Sequence, residues 1–87
     1  MRKRWAPRAL KDYKEFQRTS KAAAAKIDEL LDDIERDPSS LSGIGHPEYL
    51  KHERCWSRKI NEKDRLMYNV IDDVIHIYRC RKHYGDK

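Results

Sequence analysis

An α+β domain is expected, with a two-helix hairpin packed on one face of a small antiparallel sheet in the order β-α-α-β-β-β. Two observations predict it. Apolar residues recur at helical spacing as far as Ile34, then alternate every second residue from Trp56 onward. A loop over 38–47, rich in Ser, Gly and Pro, parts the two patterns, so helices and most strands are segregated along the chain.

Arg2 to Trp5 reads as a short strand. Pro7 suits the first turn of a helix, where its missing N–H costs no hydrogen bond, and Leu10, Tyr13 and Phe16 follow at helical spacing. Thr19-Ser20 interrupts, and Ser20 stands at the N-cap of a second helix. Ala23, Ile27, Leu30, Leu31 and Ile34 form its apolar stripe, which Asp37-Pro38 ends. After the loop, Trp56, Arg58 and Ile60 alternate with Cys55, Ser57 and Lys59, and Asn61 to Asp64 turns the chain. Leu66, Tyr68 and Val70 lead to Asp72-Asp73, a two-residue hairpin turn, and Val74 to Cys80 returns. That turn puts Leu66, Tyr68 and Val70 on one face with Ile75 and Ile77. Arg65, Met67 and Asn69 then share the other face with His76, Tyr78 and Cys80. The first face is apolar and takes the helices; the second is polar, basic and open.

Eighty-seven residues make a single domain, 1–87, with a thin core, because a chain this short buries only about 60–65% of its unfolded surface. Hydrophobic content of 38% against 40% charged is polar, yet the periodic apolar residues, two tryptophans and five tyrosines argue for folding over disorder. No apolar run approaches the roughly 18 residues of a membrane span, and the N-terminus shows no signal-peptide core, so no membrane association and a cytoplasmic location are expected. Two cysteines suggest reduced thiols rather than a disulfide framework.

The net charge of +5 is unevenly spread. Residues 28 to 37 hold six acids against Arg36, whereas residues 51 to 65 hold six cations against three acids, with Arg79, Arg81 and Lys82 following. An acidic back and a basic front suit a phosphate-contacting surface.

The basic half also carries the chemistry. Cutting RNA through its own 2′-hydroxyl needs a base, an acid, a cation for the crowded phosphate, and something to hold the nucleotides in line. Glu48, on the loop before the basic strands, is the candidate base. His83, whose residue type titrates nearest neutral pH, is the candidate acid. Arg65 can fork two phosphate oxygens, and Tyr84 can stack on a base or donate its hydroxyl. Lys51, Arg58, Lys59 and Arg81 extend the cationic surface as substrate contacts. Each residue taken singly reads as readily as surface or packing; the set together points to a nuclease. His46, His52, His76 and His83 lack zinc-ligand spacing, so no metal and no cofactor is expected.

Four segments together are specific. Pro47-Glu48-Tyr49-Leu50-Lys51-His52, Trp56-Ser57-Arg58-Lys59-Ile60, Arg65-Leu66-Met67-Tyr68 and Cys80-Arg81-Lys82-His83-Tyr84 resemble the YoeB group of RelE/ParE-type toxins over nearly the whole chain. The resemblance implies a RelE-like fold and a bacterial type II toxin that enters the ribosomal A site and cuts mRNA without metal. It implies Glu48 as general base, Arg65 as phosphate stabiliser, His83 as general acid, Tyr84 as a positioning residue, and Lys51 and Lys59 at the substrate phosphates. It further implies a cognate YefM-like antitoxin, operator DNA bound only by the toxin–antitoxin pair, and a possible homodimer. Two departures stand out: Lys59 occupies a position often held by arginine, and the Glu53-Arg54-Cys55 connection is short and lacks the glycine often seen there.

Two rival readings remain. A ParE-like gyrase inhibitor needs no acid–base pair, and the Glu48, Arg65, His83 set argues against it. A module that binds ribosomes or nucleic acid without cutting would keep its effect when Glu48 or His83 is removed.

Overall fold

The computed structural model describes residues 1–38 and 43–81. Strand β1 (Arg2–Trp5) precedes helices α1 (Pro7–Thr19) and α2 (Lys21–Arg36), and strands β2 (Glu48–Leu50), β3 (Cys55–Lys59), β4 (Arg65–Ile71) and β5 (Val74–Arg79) follow. The five strands form one sheet in the order β1-β5-β4-β3-β2. Both helices pack on one face, as expected, and among the described residues no helix lies on the opposite face.

The sheet differs from the expected one in two details. It is mixed, because β1 runs parallel to β5, with Arg4 opposite His76 and Trp5 opposite Ile77. Two helices and three strands intervene before the chain returns to β1, and a parallel pair tolerates such a crossover where a hairpin does not. It also has a fifth strand: Glu48–Leu50 pairs antiparallel with β3, placing Glu48 opposite Ser57. Three residues with no alternation of their own leave no strand pattern to read.

Helix α2 supplies most of the core. Ala23, Ile27, Leu30, Leu31 and Ile34, the whole of the predicted stripe, are buried together with Ala24, and each large aliphatic contributes about 1.5–3 kcal/mol by leaving water. Helix α1 meets the core through Ala9 and Phe16, while Leu10 and Tyr13 are half-buried. Tyr13 stacks against Trp5 at 4.9 Å and donates to Asp28 across the helix pair at 2.6 Å. That hydrogen bond to a carboxylate pushes the Tyr13 hydroxyl up to about 12. Ser20 occupies the N-cap of α2, but its side chain makes no capping hydrogen bond; its backbone carbonyl accepts from Ala23 and Ala24 instead.

The β4–β5 hairpin turns through Asp72 and Asp73, both in the left-handed region at φ 52° and 63°, as a type I′ turn demands. From there Ile71 faces Val74, Val70 faces Ile75 and Tyr68 faces Ile77, the predicted register. The register then shifts. Met67 pairs with Arg79, so Tyr78 is an extra residue, a β-bulge, on β5. The bulge inverts the alternation beyond it, and Cys80, expected on the open face, lies fully buried in the helix-side core.

At the β3–β4 turn, the Asn61 side-chain carbonyl accepts from the N–H groups of Lys63 and Asp64 at 3.0 and 2.8 Å. In the connection between β2 and β3, Arg54 adopts φ 58°, the backbone a glycine would take without strain. Its N–H donates to the Leu50 carbonyl at 2.7 Å, which closes the turn.

Candidate active site

Alternation along β3 sorts its residues between two environments. Cys55, Ser57 and Lys59 point to the open face; Trp56 and Arg58 point toward the helices. On the open face, Arg65 at the start of β4 lies opposite Lys59. Its side chain runs diagonally back over β3, where its Nε donates to Ser57 Oγ at 3.0 Å. Its Nη2 donates to the His46 carbonyl at 3.3 Å and stands 3.5 Å from Glu48 Oε1. Arg65 is thus held from three sides.

The chain before β2 delivers two of those partners. Gly45 takes φ 82°, and a Cβ there would lie 2.7 Å from Leu30 and 3.1 Å from Arg58, so only glycine lets this segment lie against α2 and β3. The Gly45 carbonyl accepts from Lys59 N–H at 2.6 Å, which fixes His46 and then Glu48 over the end of β3. Glu48 keeps 63% of its side chain exposed, and Arg65 keeps 20%. An exposed carboxylate therefore stands beside a partly buried guanidinium on the face of the sheet opposite the helices, able to take a proton and to neutralise a phosphate.

The other predicted site residues divide. Lys59 lies on the same face, with its ammonium 3.4 Å from Glu62. Lys51 is exposed in the turn after β2. His83 and Tyr84 lie outside the described residues.

Arg58 and Arg81 require correction as substrate contacts. Arg58 is wholly buried on the helix side, where its Nη1 donates to Asp33 at 2.6 Å and its Nε to the Tyr68 hydroxyl at 3.1 Å. Strand parity turns it inward, and a charge so placed persists only because Asp33 and hydrogen bonds compensate its desolvation. The Arg58 hydrogen bond holds the Asp33 carboxyl below its usual range. Arg81 pairs with Glu15 at 3.0 Å and Asp12 at 3.6 Å, over the Phe16 ring. It fastens the end of β5 to α1, away from Glu48.

Two participants escaped the sequence reading. Alternation separates Ser57 from Trp56 and Arg58 but gives it no role, and the His46 carbonyl carries no side-chain signal at all. Burial and then the charges of Asp12 and Asp64 push the Cys80 thiol up to about 12, which leaves it protonated and a poor nucleophile at neutral pH. Among the described residues, no group of three His, Cys, Asp or Glu is placed to hold a metal ion, and no helix is long and apolar enough to cross a membrane.

Two helices packed on a five-stranded mixed sheet give the α+β architecture of small bacterial toxins already solved. The toxin of a solved Staphylococcus aureus YoeB–YefM toxin–antitoxin heterotetramer superposes with a TM-score of 0.87 at 43% identity, covering 97% of this chain and 98% of that one. The S. aureus YoeB dimer gives 0.88 with the same identity and coverage. Residues 5–84 match the family described as YoeB-like toxin of bacterial type II toxin-antitoxin system. Toxin YoeB of Escherichia coli K12 is 44% identical over 82 residues, 92% of this chain and 95% of that protein. The chain belongs to the YoeB toxin family and is a toxin of type II toxin–antitoxin class.

Proposed function

We propose that this toxin is a ribosome-dependent endoribonuclease that cuts mRNA in the A site without a metal ion. The single observation that carries the reading is the Glu48–Arg65 pair, 3.5 Å apart on the face of the sheet opposite the helices, with Glu48 largely exposed. Glu48 takes the proton of a 2′-hydroxyl, whose oxygen attacks the adjacent phosphorus. Arg65 offsets the charge that gathers on the phosphoryl oxygens, using the guanidinium that Ser57 and His46 hold in place. The P–O5′ bond breaks, His83 protonates the departing oxygen, and the products are a 2′,3′-cyclic phosphate and a 5′-hydroxyl. Tyr84 positions a nucleotide, and Lys51 and Lys59 attract the flanking phosphates.

The partners follow from the relatives. The S. aureus toxin was solved both with YefM and as a dimer. We therefore assign this chain a YefM-like antitoxin, repression of operator DNA by the pair, a capacity to self-associate, and a cytoplasmic site of action where ribosomes are met.

Mapping mRNA 5′ ends after a pulse of expression tests the reading. New ends inside translated codons are expected from the natural chain and none from Glu48→Gln or His83→Ala. Growth arrest without new ends, persisting in both variants, overturns the nuclease and favours a blocking module. Charge reversal at Lys59 suits that second reading; Arg58 does not, because it is part of the core.

A further inference from the structure

A cleft opens on the same face of the sheet as Glu48 and Arg65, displaced along β4 toward the start of α1. Its volume is about 380 Å³, at the small end of the range for ligand sites. Cys55 and Met67, both almost fully buried, form its floor, with Tyr78 beside them. Arg8, Arg54 and Arg79 surround that floor against one carboxylate, Glu53. Among the described residues, neither the Arg54 nor the Arg79 side chain has a carboxylate partner.

Departures from regular backbone build the cleft. The bulge at Tyr78 sets Arg79 opposite Met67 rather than on the helix side. Arg54 is held in the left-handed region by two bonds: its N–H donates to Leu50, and its carbonyl accepts from the Asn69 side-chain amide at 3.0 Å. That same amide lies 3.4 Å from the Tyr78 hydroxyl. Arg8 Nε donates to the Tyr78 carbonyl at 3.3 Å, which draws the end of α1 to the cleft. Strained backbone fixed by several partners concentrates at binding sites.

We infer that this cleft is a nucleotide-binding subsite. A thioether and a phenol ring give a base a soft, partly aromatic surface. Arginines without acidic partners suit the phosphate that accompanies it. The location supports a nucleic-acid ligand over an acidic peptide. Met67 is the cross-strand partner of Ser57, which holds Arg65, and two strand residues, about 7 Å, separate Met67 from Arg65. An RNA strand gripped at Arg65 therefore runs into this cleft with a nucleotide near the scissile phosphate, and the cleft contributes to the choice of cutting position. That role in cleavage rests on the nuclease reading; binding of a nucleotide does not.

The chain has two methionines, Met1 and Met67, so methyl-labelled toxin carries its own reference signal. Titration with guanosine or adenosine 5′-monophosphate is expected to move the Met67 methyl and leave Met1 in place, while inorganic phosphate moves neither. Arg54→Gly, which suits the local backbone and deletes the guanidinium, should weaken binding about tenfold or more; Arg79→Gln should act alike. A motionless Met67 at millimolar nucleotide overturns the subsite. So does an equal response to phosphate alone, a stronger response to an acidic peptide, or unaltered affinity in both variants. On programmed ribosomes, Arg79→Gln should redistribute cuts among codons. A nucleotide-responsive Met67 in a toxin that makes no cuts sinks the nuclease reading and leaves the subsite standing; cuts with a silent Met67 do the reverse.

Discussion

Glu48 and Arg65 meet across an intervening strand: their side chains approach to 3.5 Å over β3, although β2 and β4 are not neighbours in the sheet. Glu48 is largely exposed, so the pair contributes at most about 1 kcal/mol to stability. In the proposed reaction its chemical value is greater, since a positioned base commonly supplies about 10²–10⁴-fold in rate. Glu48→Gln is therefore expected to lower cleavage on ribosomes by at least about 10²-fold, with a urea midpoint close to that of the natural chain. Arg65→Lys keeps the charge, but a single ammonium cannot serve Ser57, His46 and a phosphate at once. Its cleavage rate should fall nearly as far.

Much of this site was legible because strands alternate. Period two from Trp56 to Ile60 already separated Ser57 and Lys59 from Arg58, and the structure keeps that separation. The same parity assigned Arg58 to the face of Trp56 and Ile60, yet its charge suggested a substrate contact; parity outweighed charge, because Asp33 on α2 supplies a buried partner. Asp33 belongs to an acidic run that reads from sequence as a solvated helix face. Its pairing with Arg58 depends on which turn of α2 crosses β3, and no local pattern encodes that crossing. Cys80 was misplaced for a related reason: a one-residue bulge leaves no mark in the pattern that precedes it. The resemblance over four segments names His83 and Tyr84, which lie outside the described residues.

In the proposed reaction Ser57 acts through Arg65, not on the substrate. Removing its hydroxyl leaves the Arg65 Nε without the acceptor it has at 3.0 Å. A hydrogen bond to a charged group is worth about 1.5–3 kcal/mol, so Ser57→Ala should slow cleavage roughly 10- to 100-fold. Ser57→Thr retains the hydroxyl on a strand that favours β-branched residues and should recover most of the rate. Single-turnover cleavage by the three proteins on programmed ribosomes checks this; equal losses in both variants would assign Ser57 to packing alone.

Arg58 predicts the opposite separation of stability from activity. Its side chain is fully buried, and Asp33 faces it at 2.6 Å. Removing one partner of a buried pair typically costs about 3–5 kcal/mol, a large part of the 5–15 kcal/mol that holds a small domain together. Arg58→Met should lower the unfolding free energy by that amount. The double variant Arg58→Met/Asp33→Leu should regain most of it, since neither charge is then stranded. Urea denaturation of the natural chain, both single variants and the double variant gives the coupling directly. Additive losses would show that Arg58 acts by volume and not by charge.

The same pair sets the acid limit of the fold. Hydrogen bonding from Arg58, assisted by Arg36, holds the Asp33 carboxyl below its ordinary value of 3.8. A carboxylate whose native pKa is depressed contributes stability that is fully present above its unfolded pKa and disappears as pH falls through the native value. Glu35 acts in the same direction through the N-terminal ammonium at 2.6 Å, more weakly because it is 38% exposed and screened by solvent. Asp33→Asn should therefore be less stable than the natural chain above about pH 4, and the gap should close steadily toward pH 2. Glu35→Gln should show a shallower version of the same curve. Denaturation midpoints of the three proteins across that range decide the matter: a gap that widens on acidification would mean that the Arg58–Asp33 contact disfavours the ionised carboxylate.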